Sequence, residues 1–321
     1  MLPCIIQNVS GGLRDLLARL RGDPPRADDG VDSVHALDEE DDEIDEPTRG
    51  GGAAVRDVHF DPDAVVDEPT GCRPLFDLVA GGRTDPGLVR EANEDALLLM
   101  GEQAVYVVAD GMGGHAGGEI ASQLAIGAIA AAFSRDSRAT CVLSNVPPRA
   151  AELVQGLAAA NEAIRSAAAK DPRLSDMGTT IVAARFCPNK GRLYIGHVGD
   201  SRCFRLRNGS LEQMTRDHTL AELGVKGRRG RYLSRAVGTN GIMEADMSIV
   251  APRPGDVYLL CTDGLTKMVL PEAIQEVLAS EPDPGRAASA LVARAIAEGG
   301  RDNVTVLVVR VDRPSGALEP G

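Results

Sequence analysis

Several acidic residues stand at the ends of sequence runs that are typical of β-strands. Asp110 follows the β-branched and aromatic run 105–108, and five of the eight residues after it are glycine. Asp263 ends the run "DVYLLCTDG" and Asp302 precedes "NVTVLVVRV", whereas Glu94 and Asp95 precede "ALLLM". The ends of strands in one sheet can converge, so we expect these carboxylates to share one cleft.

Such a cluster predicts a divalent metal site. Carboxylates a few ångströms apart repel one another, and a cation between them removes the conflict. Ligands that are all oxygen favour Mg²⁺ or Mn²⁺ over zinc. Two such ions can share one bridging carboxylate and activate a water. Each position alone also has an ordinary explanation, because Asp-Gly after a strand is usually a turn and Glu94–Asp95 could cap a helix.

The elements that must position these residues indicate an α+β protein built in layers. Strands are predicted at "LFDLVAGG", "DALLLM", "AVYVVAD", "TTIVAARFC", "RLYIGHVGD", "RCFRLRNG", "DVYLLCTDG" and "NVTVLVVRV". Helices are predicted over Glu119–Phe133, Pro147–Ala169, Pro271–Ser280 and Pro284–Glu298. This order is not a strict βα alternation, so we expect sheets flanked by helices. We also expect "LYIGHVGDSRCFRL" to be a hairpin, with Asp200 in a structural role at its turn.

The first quarter of the chain differs from the rest in composition. Of the net charge of −13, residues 1–75 contribute 18 acidic and 7 basic side chains, and the remainder is nearly neutral. We therefore predict an acidic, disordered leader over residues 1–73. Within it, the leucines of "SGGLRDLLARLRGD" predict a short helix near residues 10–21, either frayed or docked on a partner or a membrane surface.

Composition also limits the setting in which the protein works. The sequence has no basic face, which argues against a nucleic-acid ligand. No stretch approaches 18 consecutive apolar residues, so no membrane span is predicted. Six widely spaced cysteines without a CxxC pair indicate a reducing compartment, and we expect a cytoplasmic protein.

Eight motifs follow one another along residues 74–312. They are "TDPGLVREANEDALLL", "VVADGMGGHAGGEIAS", "DMGTTIVAA", "IGHVGDSRCFRL", "DHTLAEL", "LSRAVG", "LLCTDGLTKMV" and "GGRDNVTVLVV". This series resembles the type 2C family of metal-dependent protein phosphatases (PPM), and it is most similar to the bacterial branch. The resemblance implies a catalytic domain over residues 74–312, followed by a tail at 313–321. It also implies an α-β-β-α sandwich, in which two antiparallel-rich sheets are flanked by helices.

The same resemblance implies a protein serine/threonine phosphatase. Such an enzyme hydrolyses phosphoserine and phosphothreonine with a water activated between two Mn²⁺ or Mg²⁺ ions. Its partners would be phosphorylated proteins, and it would reverse the action of a bacterial serine/threonine kinase. Since one chain completes the metal site, a monomer is expected.

Roles for the metal ligands also follow from the resemblance. Asp110 would bridge both core metals, and the carbonyl of Gly111 would be a further ligand. Asp263 and Asp302 would hold the core metal that the Gly111 carbonyl does not bind.

Three neighbouring residues match the family's positions for bound water and phosphate. Glu94 and Asp95 correspond to an acidic pair that holds the waters of the metals. Arg90 corresponds to an arginine that grips the substrate phosphate. A guanidinium suits that task because it stays charged and can bind two phosphate oxygens in parallel.

Three further assignments are implied with alternatives left open. Asp176 would help Asp263 to hold a third, weaker metal, and His218 would either reach that metal or begin a mobile flap. Met112 stands where animal members of the family have a histidine that acts as the general acid. Proton donation to the leaving group could fall to His115 or to a metal-bound water.

The flap itself departs from the family pattern. The segment 218–234, "HTLAELGVKGRRGRYLS", is shorter than the usual bacterial flap, which affects substrate choice more than catalysis. Its basic cluster "KGRRGR" at 226–231 could attract an acidic phosphosubstrate, bind the acidic leader, or be a solvated loop.

Three rival functions remain open from the sequence. A pseudophosphatase would bind phosphoproteins without hydrolysing them, although every core metal carboxylate is present. A metal-dependent hydrolase of small phosphoesters would share the metal chemistry. An interaction protein would depend on the leader and the basic loop rather than on hydrolysis.

Overall fold

Two β-sheets of unequal size form the centre of the protein. The computed structural model describes residues 5–6, 53–64, 73–114, 116–134, 147–239 and 243–315. The strands in these ranges are β1 Ile5–Ile6, β2 Ala53–Phe60, β3 Asp77–Asp85, β4 Asp95–Met100, β5 Val105–Met112, β6 Gly178–Cys187, β7 Arg192–Val198, β8 Arg202–Arg207, β9 Ser210–Gln213, β10 Met243–Val250, β11 Val257–Cys261 and β12 Val304–Asp312. The helices are α1 Gly117–Ser134, α2 Pro148–Lys170, α3 Asp263–Thr266, α4 Pro271–Ser280 and α5 Pro284–Ala297.

Neighbouring strands in both sheets are almost all antiparallel. The larger sheet has the order β1-β4-β5-β6-β7-β10-β2, and the smaller sheet has the order β3-β12-β11-β8-β9. Among the strands of the described residues, only β10 and β2 pair in parallel. Among the described residues, no helix has both the length and the apolar character needed to cross a lipid bilayer.

Central strands are apolar on both faces because both faces are covered. Along β5, Val105 and Val107 belong to the core beneath α1 and α2, whereas Tyr106 and Val108 belong to the core between the sheets. Strand β12 alternates in the same way, between the core beneath α4 and α5 and the core between the sheets. Side chains two residues apart share a face, so this alternation places Asp110 on the same face as Tyr106 and Val108.

Three hydrophobic cores therefore separate four layers. Between the sheets, the ring of Phe186 meets those of Phe76, Tyr106 and Tyr258 edge to face, with centroids 5.4–6.3 Å apart. Helices α1 and α2 cover the outer face of the larger sheet, and α4 and α5 cover that of the smaller sheet. The predicted α-β-β-α sandwich of two antiparallel-rich sheets is confirmed.

Most predicted elements lie where the sequence placed them, but one connection was predicted wrongly. Strand β7 belongs to the larger sheet and β8 to the smaller one, so "LYIGHVGDSRCFRL" is not a hairpin. The turn Gly199–Asp200–Ser201 instead carries the chain from one sheet to the other. Strand β10, "MEADMSIV", was missed because its acidic residues interrupt the apolar pattern.

The predicted leader also needs correction, because part of it belongs to the folded domain. Residues 53–64, here called the strap, consist of β2 and a 3-10 turn over Pro62–Ala64. Strand β2 extends the larger sheet beyond β10, and the Asp61 N–H donates to the carbonyl of Ile249 at 2.9 Å. Ile5–Ile6 pairs with β4 at the opposite edge. The helix predicted near residues 10–21 lies outside the described residues.

The acidic residues of the strap are ion-pair partners rather than a solvated charge run. Asp61 pairs with Arg205, and only 7% of the Asp61 side chain and 10% of the Arg205 side chain are exposed. Asp63 contacts Arg207 at 2.9 Å and Arg253 at 2.7 Å. The sequence could not reveal these pairs because the arginines on β8 stand 144 residues away from the aspartates.

The Asp61→Asn substitution is expected to lower the free energy of unfolding by about 3 kcal/mol. Removing one member of a buried ion pair leaves the other charge desolvated with less compensation. Urea denaturation of the full chain measures the effect. The matched control is Asp57→Asn on the same strap, where the residue is exposed and a change within about 0.5 kcal/mol is expected. Equal stability of both variants and wild type would contradict the structural role of the strap.

Candidate metal centre

Five aspartates from both sheets converge at one end of the sandwich. Asp95 opens β4 and lies directly opposite Asp110 in the register of β4 and β5. Asp263 follows β11, Asp302 precedes β12, and Asp200 occupies the crossover between the sheets. The cluster thus forms where strand ends of the two sheets meet, on the side that faces the inter-sheet core.

Four of these side chains, all except that of Asp95, border an open cleft of about 530 Å³, here called the carboxylate cleft. It is lined by Arg90, Glu94, Asp110, Gly111, Met112, Gly113, Thr180, Asp200, Arg231, Tyr232, Leu233, Asp263, Lys267 and Asp302. The lining therefore combines acidic groups with arginine and lysine side chains and with residues of the flap.

Two glycines are required by close backbone packing around the carboxylates. A Cβ at Gly111 would collide with the carbonyl of Gly118 at the start of α1 and with the carbonyl of Glu94. A Cβ at Gly264, next to Asp263, would collide with the carbonyl of Asn303. The two glycines therefore bring the strand ends close enough for the carboxylates to meet.

Asp95 is the most deeply buried carboxylate of the cluster, with 1% of the residue exposed. Its Oδ2 accepts a hydrogen bond from Thr262 at 2.9 Å, but its Oδ1 is buried without a hydrogen-bond partner among the described residues. Burial raises the pKa of Asp95 to about 7, and the neighbouring charges of Asp263 and Asp302 add to the effect. An orphaned carboxylate oxygen at this place is a free ligand position.

The other buried aspartates are electrostatically destabilised in the same way. Burial, followed by repulsion from Asp95, raises the pKa of Asp110 well above its usual range. Burial, followed by repulsion from Asp263, raises the pKa of Asp200 to about 7. Burial likewise raises the pKa of Asp263. The protein thus holds together several carboxylates that resist ionisation unless a positive charge joins them.

Protein cations supply only part of that positive charge. The Lys267 ammonium lies 2.5 Å from Asp263 and 3.3 Å from Asp302. Arg90 lies 2.8 Å from Asp302 and 3.9 Å from Glu94, and its side chain is half exposed at the rim. The donor set is made of hard oxygens and has an unsatisfied buried acceptor, so it fits Mg²⁺ or Mn²⁺.

Asn303 fixes the loop that carries Arg90 and Glu94. Its side-chain amide donates to the carbonyls of Pro86 and Ala92, each at 2.9 Å, and its Oδ1 accepts the Glu94 N–H at 2.9 Å. The residue is 5% exposed, so these bonds are protected from water. Asn303 therefore holds this loop in register with the adjacent Asp302.

Comparison with known proteins identifies the family. A family model described as protein phosphatase 2C matches residues 89–293. The chain belongs to the protein phosphatase 2C family. The serine/threonine phosphatase stp of Listeria monocytogenes is 34% identical to it over 244 residues, which is 72% of this chain and 94% of that protein. Serine/threonine protein phosphatase PstP of Mycobacterium tuberculosis is 38% identical over 249 residues, which is 74% of this chain and 46% of that protein.

A solved structure of this phosphatase 2C family supports the metal assignment. The catalytic domain of PstP in complex with two manganese ions is similar with a TM-score of 0.64 and 38% identity, covering 74% of this chain and 99% of that one. Metal-dependent phosphatase 2C chemistry with Mn²⁺ or Mg²⁺ therefore applies to this chain. The strap lies outside residues 89–293, the region that the family model matches.

The structure brings together the core residues that the sequence singled out for phosphatase 2C chemistry. Arg90, Glu94, Asp110, Gly111, Asp263 and Asp302 all line the carboxylate cleft, and Asp95 lies beneath it. Asp176 is exposed and is not among the lining residues, so its third-metal role stays a prediction. His115 lies outside the described residues, and its role as general acid likewise stays a prediction.

His218, predicted either to reach a third metal or to begin the flap, lies at the start of the flap, and its third-metal role stays a prediction. The residue is 2% exposed, and its Nδ1 accepts a hydrogen bond from the Gly199 N–H at 3.1 Å. The hydrogen of the ring is thereby placed on Nε2, which lies 3.0 Å from the Asp246 carboxylate. With both nitrogens engaged, His218 ties the start of the flap to the crossover between the sheets.

The crossover supports a residue that sequence reasoning undervalued. Asp200 was expected to tie a hairpin turn together, but it lines the carboxylate cleft. Next to it, the hydroxyls of Ser201 and Thr180 share a hydrogen bond at 2.7 Å, and Thr180 lies opposite Asp110 in the β5–β6 register. The signal that could have found Asp200 is its type, since it is one more acidic residue directly after a predicted apolar strand.

Metal removal is expected to destabilise the protein more at high pH than at low pH. The pKa values of Asp95 and Asp200 are about 7 in the fold, against 3.8 for an ordinary aspartate. Without metal, ionising these groups therefore costs folding stability as pH rises from about 4 to about 7. Bound Mn²⁺ offsets that cost because it requires the ionised form.

Thermal unfolding of the full chain with Mn²⁺ and with EDTA checks this expectation. The difference between the two melting temperatures should widen from pH 5.5 to pH 8. Comparing the two conditions at each pH cancels the contribution of groups remote from the cleft. A difference that stays constant or narrows with pH would refute metal binding by these buried carboxylates.

Proposed function

We propose that this protein removes phosphate from phosphoserine and phosphothreonine side chains of proteins and thereby opposes a bacterial serine/threonine kinase. The observation that carries the proposal is the convergence of five aspartates, four of which line a cleft whose rim holds Arg90. Family membership makes the enzyme a metal-dependent phosphoprotein phosphatase. The kinase, the action as a monomer and a cytoplasmic location are parts of the proposal.

The carboxylates would hold the metals of the family. Asp110, Asp263, Asp302 and the Gly111 carbonyl are the proposed direct ligands, and Glu94 and Asp95 are proposed to orient waters around them. When bound, two divalent ions supply a water of lowered pKa as the nucleophile and neutralise the charge of the phosphoryl group. Asp200 adds a further acidic side chain to the lining of the carboxylate cleft.

Arg90 is the proposed anchor for the phosphate. One guanidinium nitrogen lies 2.8 Å from Asp302 in an ion pair, which favours one orientation of the group. The remaining N–H donors of its planar fork are able to bind phosphate oxygens, and two of them can do so in parallel. Since the side chain is half exposed, a protein-bound phosphate can reach it without rearrangement of the core.

The open shape of the cleft favours a macromolecular substrate. The flap residues Tyr232 and Leu233 line one wall, and Tyr232 is 65% exposed. A cleft that is open to solvent and bordered by a loop admits an extended peptide segment, whereas small metabolites are usually enclosed. This geometry supports a phosphoprotein over a small phosphoester.

Loss of the central ligand is expected to abolish turnover. With Mn²⁺ and a phosphothreonine peptide, Asp110→Asn should reduce kcat by more than about 100-fold, because losing even an outer-shell partner of a metal costs about 10–100-fold. EDTA should do the same to the wild type, and Asp57→Asn is the control. Wild-type protein without metal-dependent turnover would favour a phosphoprotein-binding pseudoenzyme, and faster turnover of a sugar phosphate would favour a small-molecule hydrolase.

Replacing the phosphate anchor is expected to weaken substrate use while the metals remain bound. Arg90→Lys keeps the positive charge but loses the planar guanidinium and its parallel N–H donors. The value of kcat/KM for the phosphopeptide should therefore fall by about 10–100-fold, as for a lost hydrogen bond to a charged group. The Mn²⁺-induced rise in melting temperature should persist in this variant. An unchanged kcat/KM would remove Arg90 from phosphate binding.

A further inference from the structure

The carboxylate cleft continues into a second and larger space. This side cavity has a volume of about 680 Å³ and is lined by Asp200, Arg202, Arg231, Asp263, Thr266, Lys267, Met268, Arg301 and Asp302. Its wall shares Asp200, Arg231, Asp263, Lys267 and Asp302 with the carboxylate cleft, but it does not include the phosphate anchor Arg90. A substrate that places its phosphate at Arg90 can therefore extend into the side cavity.

Two of the four cations in the side cavity are already neutralised. Arg202 forms a forked pair with Asp217 at 2.9 and 2.6 Å. Lys267 is held by Asp263 at 2.5 Å and by Asp302 at 3.3 Å. These two residues maintain the shape of the site and have little capacity left for a ligand.

The other two cations, Arg231 and Arg301, are differently placed. Both residues are exposed, and neither guanidinium has a carboxylate partner within the part of the chain that the structure describes. Arg231 comes from the flap, at the end of the 3-10 turn Arg228–Arg231, whereas Arg301 precedes Asp302 on the body of the domain. Two unpaired guanidinium groups thus line one cavity, one on the flap and one on the body.

Only one residue of the basic cluster in the flap contributes to this arrangement. Arg231 lines both the carboxylate cleft and the side cavity. Lys226, Arg228 and Arg229 are exposed but line neither space. The cluster is therefore not uniform, and only its last arginine borders the two spaces.

We propose that Arg231 and Arg301 form a second anion subsite, which binds a phosphate or carboxylate group on the same peptide as the phosphoresidue that is hydrolysed. The inference rests on the proposed phosphatase function and names a class of substrate for it. Guanidinium groups bind both kinds of anion in forked geometry and stay charged at any physiological pH. The enzyme would select segments that carry a second phosphate or an acidic side chain near the first phosphate.

Steady-state kinetics of the full chain with Mn²⁺ test this subsite. Three peptides share one sequence around a phosphothreonine and differ at a nearby position, which is alanine, glutamate or a second phosphothreonine. Wild type should have a lower KM for the two doubly anionic peptides than for the alanine peptide, by about 5–20-fold. Of the glutamate and phosphothreonine peptides, the one with the lower KM carries the anion that the subsite binds better.

Variants assign the preference to the two arginines. Arg231→Ala and Arg301→Ala should each lower the ratio of kcat/KM between doubly and singly anionic peptides towards one. Arg228→Ala and Arg229→Ala are matched controls on the same turn, outside both spaces, and should keep the wild-type ratio. A wild-type ratio of one, or an equal loss of ratio in the controls, would overturn the subsite.

The outcome is separable from that of the proposed function. Turnover of the alanine peptide tests the phosphatase activity, whereas the ratio between peptides tests the subsite. Turnover of all three peptides at the same kcat/KM would leave the phosphatase intact and refute the subsite. If no peptide is hydrolysed, the phosphatase proposal fails. The dissociation constants of the three peptides for Asp110→Asn then test the subsite by binding alone. Tighter binding of the two doubly anionic peptides would support the subsite, and equal affinities would refute it.

Discussion

The repulsion among buried carboxylates is the constraint on which the rest of the structure depends. Asp95, Asp110, Asp200 and Asp263 are desolvated together, so their pKa values rise, and Lys267 and Arg90 offset only part of the negative charge. A fold that keeps such a cluster must hold it rigidly, since relaxation would separate the charges. A divalent metal bound at this cluster would offset the repulsion, and that relief would add to the affinity for the metal.

The sandwich supplies that rigidity through its strand ends. Apolar side chains on both faces of β5 and β12 anchor these strands in two cores each, so the acidic residues at their ends have little freedom. Glycines at 111 and 264 allow neighbouring backbones to approach, and Asn303 joins the loop bearing Arg90 to the start of β12. The acidic strand ends and the loop bearing Arg90 are therefore joined by hydrogen bonds and close backbone contacts.

The flap and the strap lie outside these strand ends and this loop. The flap is tied down at its start by His218, which engages both Gly199 and Asp246, and its arginine turn borders the cleft. The strap adds a parallel strand at the edge of the larger sheet and neutralises arginines of β8. Arg231, Tyr232 and Leu233 of the flap line the carboxylate cleft, whereas none of the five clustered aspartates lies in the flap.

The sequence alone determined the layered α+β fold, the strand ends and the core carboxylates, because periodicity and local motifs encode them. It did not determine where Asp200 points, since the residue after an apolar strand looks the same in a hairpin and in a crossover between sheets. The sequence also placed Asp61 and Asp63 in a predicted disordered leader. The prediction rested on local charge composition, which contains no information about ion-pair partners far along the chain. The engagement of both His218 nitrogens and the free guanidinium groups of Arg231 and Arg301 were likewise decided only by tertiary structure, since pairing depends on which groups the fold brings within a few ångströms.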